Sequence, residues 1–246
     1  MPDRPVAWPI AWPISGVPLP RSFYERPSTE VAPSLLNKVL VHGDRAVRIV
    51  EVEAYGGADD PASHAYRGRT RRNGVMFGAP GLLYVYFTYG MHWCANAVCG
   101  AEGEGVAVLL RAGAPLAGLE GMWASRAAAR RERDLANGPA KLCQALAIDG
   151  GLDGADLTRP DPARPDPTRR TGSPRTGTRR TGTRPAAPPA GVVILDDGVA
   201  PPRRPDRSPR IGISSAIERP WRWYVPDDPH VSRAPRQRSG RKRTTA

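Results

Sequence analysis

Apolar and polar positions alternate with a period of two along several stretches of the chain, the signature of strands with two distinct faces. The clearest stretch is 82–89. Leu82, Tyr84, Tyr86 and Thr88 fall on one face, and Leu83, Val85, Phe87 and Tyr89 on the other. A second stretch, 40–55, is broken by Gly43-Asp44, which predicts a hairpin turn. In its latter half Val47, Ile49, Glu51, Glu53 and Tyr55 share one face, so an apolar face turns acidic at its end. Gly90 predicts a turn into a further strand near 93–98, and 106–111 reads as a short buried strand. Helical patterns cover 28–36, with Ser28 or Thr29 as cap and Glu30 in the first turn, and 119–134, rich in Ala and Arg. Asn137-Gly138-Pro139 restarts a helix through Ala147, with proline in its first turn. A polar loop over 56–81 carries Arg67, Arg69, Arg71 and Arg72. Order is expected again at 191–195, 210–213 and 221–225.

Elsewhere the periodicity vanishes. A tandem AWPI over 7–14 marks residues 1–20 as an extended, flexible arm. From 149 to 190 the chain repeats Arg-Thr-Gly and lacks the apolar residues to bury a core, which predicts a disordered insertion within one domain spanning 21–228. Residues 229–246 read as a basic, disordered tail. Much of the 28 Pro and 26 Gly sits in such segments. So does the charge. Eight arginines against two aspartates in 159–190, and six lysines or arginines without an acid in 229–246, account for the whole net charge of +12. Such segments attract phosphates without reading sequence, or serve as solubilising filler; the residues leave both readings open.

Cys94, Cys99 and Cys143 include no C-x-x-C pair, and no H-E-x-x-H occurs, so buried thiols in a reducing compartment are expected rather than a metal site. The amino end lacks the order of a signal peptide, and no apolar run reaches the roughly 18 residues of a membrane span. A soluble cytoplasmic protein follows, nucleoid-associated if bacterial, with no membrane partner and no cofactor.

Two carboxylates at the end of a buried strand, Glu51 and Glu53 beside Tyr55, are a costly arrangement, and either a solvated edge or a functional pair satisfies the pattern. Phe87 and Tyr84 are expected in the core. Tyr89, directly before Gly90 at a hairpin tip, is expected to be exposed, where an aromatic ring can wedge into a base stack.

At this point the strings IVEVEAYGG (49–57), His64, RRNGVMF (71–77), GLLYVYFTYGMHWCAN (81–96), VLLRA (108–112) and NGPAKLCQAL (137–146) closely resemble the alkyladenine, or 3-methyladenine, DNA glycosylases, with weaker echoes at RIGI (210–213) and PWRWYV (220–225). The basic insertion and tail depart from the family. The resemblance implies one α+β domain, a curved and mostly antiparallel sheet with helices around it, acting as a monomer on double-stranded DNA that contains damaged purines. It assigns Glu53 as the general base that activates water, Arg111 as the partner that helps hold the water, and Ile211 as a backbone carbonyl that does the same. Tyr55, His64 and Tyr86 become the rings around a flipped base, Asn96 the group that rejects an unmodified guanine, and Tyr89 the plug left in the duplex.

The chemistry suits these residue types. A base inside a helix must be extruded before its glycosidic carbon can be attacked, and aromatic stacking of about 1–3 kcal/mol per base helps to hold it. An alkylated, cationic purine stacks well on electron-rich Tyr and is a good leaving group. A carboxylate beneath C1′ stabilises the cation-like transition state and takes the proton from water, with Arg111 expected to keep Glu53 ionised. No lysine falls among the matched positions except Lys141 at a helix start, so no Schiff base and no strand cleavage are expected. Rival readings are a non-catalytic nucleic-acid-binding module, which has no use for Glu53, and a carbohydrate glycosidase built on Glu51 and Glu53, roughly 6.5–7 Å apart along a strand. A zinc base deaminase is excluded, since neither H-x-E nor P-C-x-x-C occurs. The lesion remains open among 3-methyladenine, 7-methylguanine, hypoxanthine and ethenoadenine.

The basic segments are expected to tune affinity and not chemistry. Deleting 159–190 and 231–246 should weaken DNA binding at low salt and flatten its salt dependence, because phosphate contacts carry no base information. Cleavage on saturating DNA, followed across a salt series, should stay within a few-fold; a tenfold fall, about 1.4 kcal/mol of barrier, would place these segments in the site.

Overall fold

The computed structural model describes residues 14–159 and 191–232. Of the segments expected to be flexible or disordered, 1–13, 160–190 and 233–246 lie outside the described residues, whereas 14–20, 149–159 and 229–232 are part of the fold, with Leu19, Leu152, Leu157 and Ser232 buried. In chain order the elements begin with β1 (Val17–Pro18), α1 (Arg21–Tyr24), α2 (Ser28–Leu35), β2 (Val39–His42) and β3 (Arg45–Gly56). The central hairpin follows, β4 (Leu83–Thr88) and β5 (His92–Cys99), then the long β6 (Val106–Ala117) and the helices α3 (Leu119–Ser125) and α4 (Pro139–Ala145). Beyond the insertion come β7 (Val192–Asp196), β8 (Asp206–Ser208) and β9 (Arg222–Tyr224).

The nine strands among the described residues belong to one curled antiparallel sheet, a half-barrel in the order β1-β7-β2-β3-β6-β5-β4, with β9 on β3 and β8 on β9. Strand β3 is its spine. Its first half pairs with β2, its second half with β9, and β6 runs along its whole other edge. The Gly43-Asp44 turn forms as expected, with Gly43 at φ +58°. One face is covered by helices: Val31, Ala32 and Leu35 of α2, Met122 of α3 and Leu142 and Cys143 of α4 pack with Ile49, Val52, Leu83 and Leu110 into the main core. The strands reach from that core to a smaller cluster on the opposite face, Ala65, Met76, Tyr84, Val98 and Ala107, beneath the candidate site.

The alternation along β4 holds: Leu83 and Val85 enter the core, while Tyr84, Tyr86 and Thr88 face a cavity on the other side. Along β3 it does not. Val47, Ile49, Val52 and Ala54 all lie in the main core, which a strict period of two forbids. The register explains this: Ile49 pairs with Gly113 but Glu51 with Ala112, so β3 gains Val50 as an extra residue. One step later Glu51 pairs with Ala112 but Val52 with Leu110, and β6 gains Arg111. Two opposed bulges thus turn Glu51, Glu53 and Tyr55 to the face opposite Val47 and Ile49 and set Arg111 free of the ladder beside them.

Other expectations need correction. The 119–134 helix ends at Ser125, because 126–131 carries nothing larger than alanine among its apolar residues and has no face to bury. Arg126 instead ties this turn down through Leu135 O at 3.0 Å and Gln144 Oε1 at 2.6 Å. A short 3₁₀ turn covers Glu132–Asp134. Neither Ser28 nor Thr29 caps α2; Pro27 holds that position and Ser28 is already helical. The strand expected over 106–111 runs on to Ala117, and α4 stops at Ala145, two residues before Ala147 turns left-handed at φ +53°. Residues 210–213 are ordered but irregular. Phe87 is not core: it is 43 % exposed and lies tilted against Trp93, 4.7 Å between centroids. Cys94, Cys99 and Cys143 are buried free thiols, as expected.

Leu110, fully buried where β6 meets the helices, tests this packing. Leu110→Ala should lower unfolding stability by about 2–5 kcal/mol in urea titrations; a loss below about 1 kcal/mol would mean that the sheet–helix core is not packed as described.

Candidate active site

A cavity of about 460 Å³ opens where β4 and β5 face the loop that follows β3 and the irregular segment after β8. Its walls are aromatic and polar: Tyr55, His64, Tyr84, Tyr86, Asn96 and Arg111 among others, with Tyr89 at the mouth. His64 stands edge-on to Tyr86, 4.5 Å between centroids at 76°, and its Nδ1 lies 3.2 Å from the Tyr84 hydroxyl. Tyr84 stacks on Tyr86 at 5.5 Å. The loop that carries His64 is pinned by Asn73, whose Nδ2 donates to the carbonyls of His64 (2.8 Å) and Gly68 (3.1 Å). Burial, with Arg72 nearby, holds the His64 pKa below its usual value, so the ring is neutral at pH 7. Asn96, buried opposite Tyr84 on the neighbouring strand, donates to the Tyr84 carbonyl at 3.2 Å.

Tyr89 sits where the sequence put it. The β4–β5 hairpin turns through Tyr89, Gly90 and Met91, with Tyr89 at φ +51° and Gly90 at +67°. A non-glycine residue in that region is uncommon, and here it lifts a ring that is 81 % exposed; Met91 beside it is 65 % exposed.

Behind the cavity wall lie the two carboxylates, both without exposed side-chain surface. Arg111 bridges them: Nε meets Glu51 Oε1 at 2.7 Å and Nη1 meets Glu53 Oε1 at 3.1 Å. Glu51 is saturated. Arg222 Nε (2.7 Å) and Ser232 Oγ (2.7 Å) also donate to its Oε1, and the Ser232 N–H donates to Oε2 at 2.6 Å. Burial alone would push its pKa up, but Arg111 and Arg222 outweigh that and hold it below the usual carboxylate value. Glu53 accepts less: the Ile211 N–H at 2.7 Å on Oε1 and the Tyr55 hydroxyl at 3.0 Å on Oε2. Its pKa lies above the usual value, because burial outweighs Arg111. Arg111 lowers the Glu53 pKa against this burial, with half of its fork spent on Glu51. Ile211 contacts Glu53 through its N–H.

Tyr55 is braced from behind. The Arg210 guanidinium lies 4.7 Å from its ring centroid and 5.2 Å from that of Trp221, and is clamped by Asp60 with Nη1–Oδ2 2.5 Å and Nη2–Oδ1 2.8 Å. Backbone N–H groups of Gly56 and Ala62 donate to the same Asp60 carboxylate.

This architecture can be compared with known proteins. Residues 22–229 match the family model described as methylpurine-DNA glycosylase. The chain belongs to the methylpurine-DNA glycosylase family. These are DNA-repair hydrolases that cleave N-glycosidic bonds, so the substrate is DNA. A Burkholderia lata protein carrying the name "Putative 3-methyladenine DNA glycosylase" is 50 % identical over 231 residues, covering 94 % of this chain and 95 % of its own length. A Burkholderia orbicola protein of the same name is 52 % identical over 220 residues (89 % and 93 %), and one from the archaeon Methanocella arvoryzae 42 % over 225 (88 % and 97 %).

All eight site residues expected from the sequence thus converge on this glycosylase's cavity or the wall behind it. The carbohydrate-glycosidase reading fails on geometry, since Glu51 is sealed behind Arg111, Arg222 and Ser232 and no carboxylate pair faces the cavity. The sequence reading missed Asp60, Arg210 and Trp221 as the support of Tyr55, and Ser232 as a partner of Glu51. Arg210 was within view, next to Ile211 in the RIGI string, but a lone Arg among thirty-six Lys and Arg carries no signal. Ser232 is buried, so a tail deletion that spares the site begins at 233, not 231. Among the described residues no group of three potential metal ligands occurs, and no helix is long and apolar enough to cross a membrane.

Asp60→Asn strips the buried Arg210 of its counter-ion and should cost about 3–5 kcal/mol of stability at pH 7. Arg210 holds the Asp60 pKa below its usual 3.8, so this stabilisation is present above that pH and is lost as pH falls through the folded value. Denaturant melts of the two proteins should converge at acid pH; a constant gap would show that the pair is not the cause.

Proposed function

We propose that the enzyme extrudes an alkylated or deaminated purine from duplex DNA into the aromatic cavity, hydrolyses its N-glycosidic bond and leaves an abasic site. The observation that carries the reading is the buried Glu53, of raised basicity, directly behind an aromatic cavity whose mouth holds an exposed tyrosine. Tyr89 fills the gap in the duplex, and the extruded base lies among Tyr55, His64 and Tyr86. These walls are uncharged at pH 7, so a cationic methylpurine stacks without repulsion. Asn96, held against Tyr84, stands where the exocyclic amine of an ordinary guanine is rejected.

As the C1′–N bond breaks, its electron pair leaves with the base and positive charge develops on the sugar. The Glu53 carboxylate stabilises that charge and takes the proton of the attacking water, whose oxygen bonds to C1′. Arg111 orients Glu53 and the water, and Ile211 contributes its N–H to Glu53 and its carbonyl to the water. Glu53 reaches the water once Tyr55 yields Oε2. The names of the relatives favour 3-methyladenine; 7-methylguanine, hypoxanthine and ethenoadenine fit the same cavity chemistry. Lys141 lies outside the cavity, bonded to Asn137 at 2.7 Å, so among the described residues no lysine lines the cavity to form a Schiff base.

Glu53→Gln should abolish base release, a loss of about 10²–10⁴-fold or more, with binding to lesion DNA largely intact; single-turnover rates near wild type would remove Glu53 as base. A base must be ionised, so the wild-type rate should fall as pH drops through the pKa of Glu53, above the usual 4.5. Purified enzyme should leave abasic DNA unbroken and work in EDTA. Covalent trapping by borohydride would overturn the monofunctional reading.

A further inference from the structure

The Glu51 cluster plays no part in the mechanism above, although Glu51 accepts four hydrogen bonds, as many as Asp60. A carboxylate sealed in the interior with four donors on it, from β6, β9 and the last described residues, is a structure with a cost. Burying an apolar residue at that position would fill the space without charge. Its one connection toward the cavity is the fork of Arg111, which ends on Glu53.

From this geometry we infer that Glu51 and Ser232 are positioning residues that hold Arg111 and claim part of its charge, so that Glu53 stays basic enough to take a proton from water. The inference rests on the reading of Glu53 as base. Ser232 grips both oxygens of Glu51, through N–H and Oγ, and its own carbonyl accepts from Arg222 Nη2 at 3.0 Å. The start of the basic tail is thereby tied to Glu53 through Glu51 and Arg111. Arg222 is further fixed by Ser208 at 2.9 Å, so the second cation cannot swing toward Glu53.

Burial dominates the charge state of Glu53, and among the groups that face it Arg111 acts most strongly. From its own strand come the Tyr55 hydroxyl and Glu51, from β4 and β5 Tyr86 and Cys94, and from the 210–211 segment Arg210 and the Ile211 N–H. Tyr55, Tyr86 and Cys94 are neutral at pH 7, their pKa values pushed up by burial, and Arg210 is neutralised by Asp60. Loss of the Glu51 charge removes a repulsion that raises the Glu53 pKa and turns the full charge of Arg111 onto Glu53. Glu53 then stays ionised to lower pH but is a weaker base.

The test is the pH profile of single-turnover base release from a duplex with one 7-methylguanine, for wild type, Glu51→Gln, Ser232→Ala, Ser232→Thr and Glu53→Gln. Glu51→Gln should move the acid limb toward lower pH by about one unit and lower the plateau about tenfold, far less than Glu53→Gln. Ser232→Ala, which leaves the Glu51 charge in place with one donor fewer, should draw Arg111 further onto Glu51 and move the limb slightly the other way, toward higher pH, and Ser232→Thr, which restores the hydroxyl, should return the limb to the wild-type position. Should Glu51→Gln fail to fold, the two Ser232 variants decide. Acid limbs that coincide with wild type in the folded variants overturn the inference, whatever the plateau, because a merely structural role lowers active fraction without moving the limb. An active Glu53→Gln, or a wild type with no acid limb, overturns instead the assignment of Glu53 on which the inference rests.

Discussion

One arginine between two buried carboxylates organises this glycosylase. Arg111 carries a single positive charge into the wall of the cavity, where it is almost wholly buried, and two negative charges meet it there. Buried ions persist only where pairing and hydrogen bonds offset their desolvation, so the surrounding chain is constrained. The paired bulges at Val50 and Arg111 bring the three groups to one face; β9 supplies Arg222, and Ser232 closes the far side. The asymmetry matters more than the pairing. Glu51 receives four donors and Glu53 three, and burial lifts one of two chemically identical side chains toward basicity while the other stays a fixed anion.

The cavity in front of this triad is selected for by the same logic of charge. Neutral tyrosines and a neutral histidine line the side that receives the base in the proposed function; Arg111 and Arg210 are each spent on carboxylates, and Arg72, which lies over Tyr86, donates to the Phe87 carbonyl. Arg210 does double service, since it stacks on the back of Tyr55 and leaves the opposite face of that ring for a base in the proposed function. The rigid sheet holds Tyr55, Tyr86 and Asn96, whereas the hairpin tip holds Tyr89 in solvent on strained backbone. In the proposed function, reading of the base thus falls to the sheet and opening of the duplex to the exposed hairpin tip.

Much of this was legible in the sequence. Strict alternation placed Tyr84 and Tyr86 on one face of β4, and Gly90 marked the tip where Tyr89 is exposed. Alternation failed on β3, because a bulge is one unpaired residue and leaves no mark in the hydrophobic pattern; Val50 looks like any other strand valine. It is this slip that separates Glu51 and Glu53 from Val47 and Ile49. Contacts across long separations were also out of reach: Ser232 touches Glu51 across 181 positions and Arg210 touches Asp60 across 150. The helix expected over 119–134 failed for a different reason, since alanine propensity cannot hold a helix that has nothing to bury.

The central claim is that the surroundings, not the side-chain type, decide which acid is the base. Carbonyl resonances of isotopically labelled glutamates, assigned with the Glu51→Gln and Glu53→Gln variants and followed through a pH titration of the free enzyme, read this directly. The account predicts that Glu53 takes its proton above the ordinary carboxylate value and Glu51 below it, both within one folded protein. Titration in the reverse order, or two coincident curves near 4.5, would contradict it.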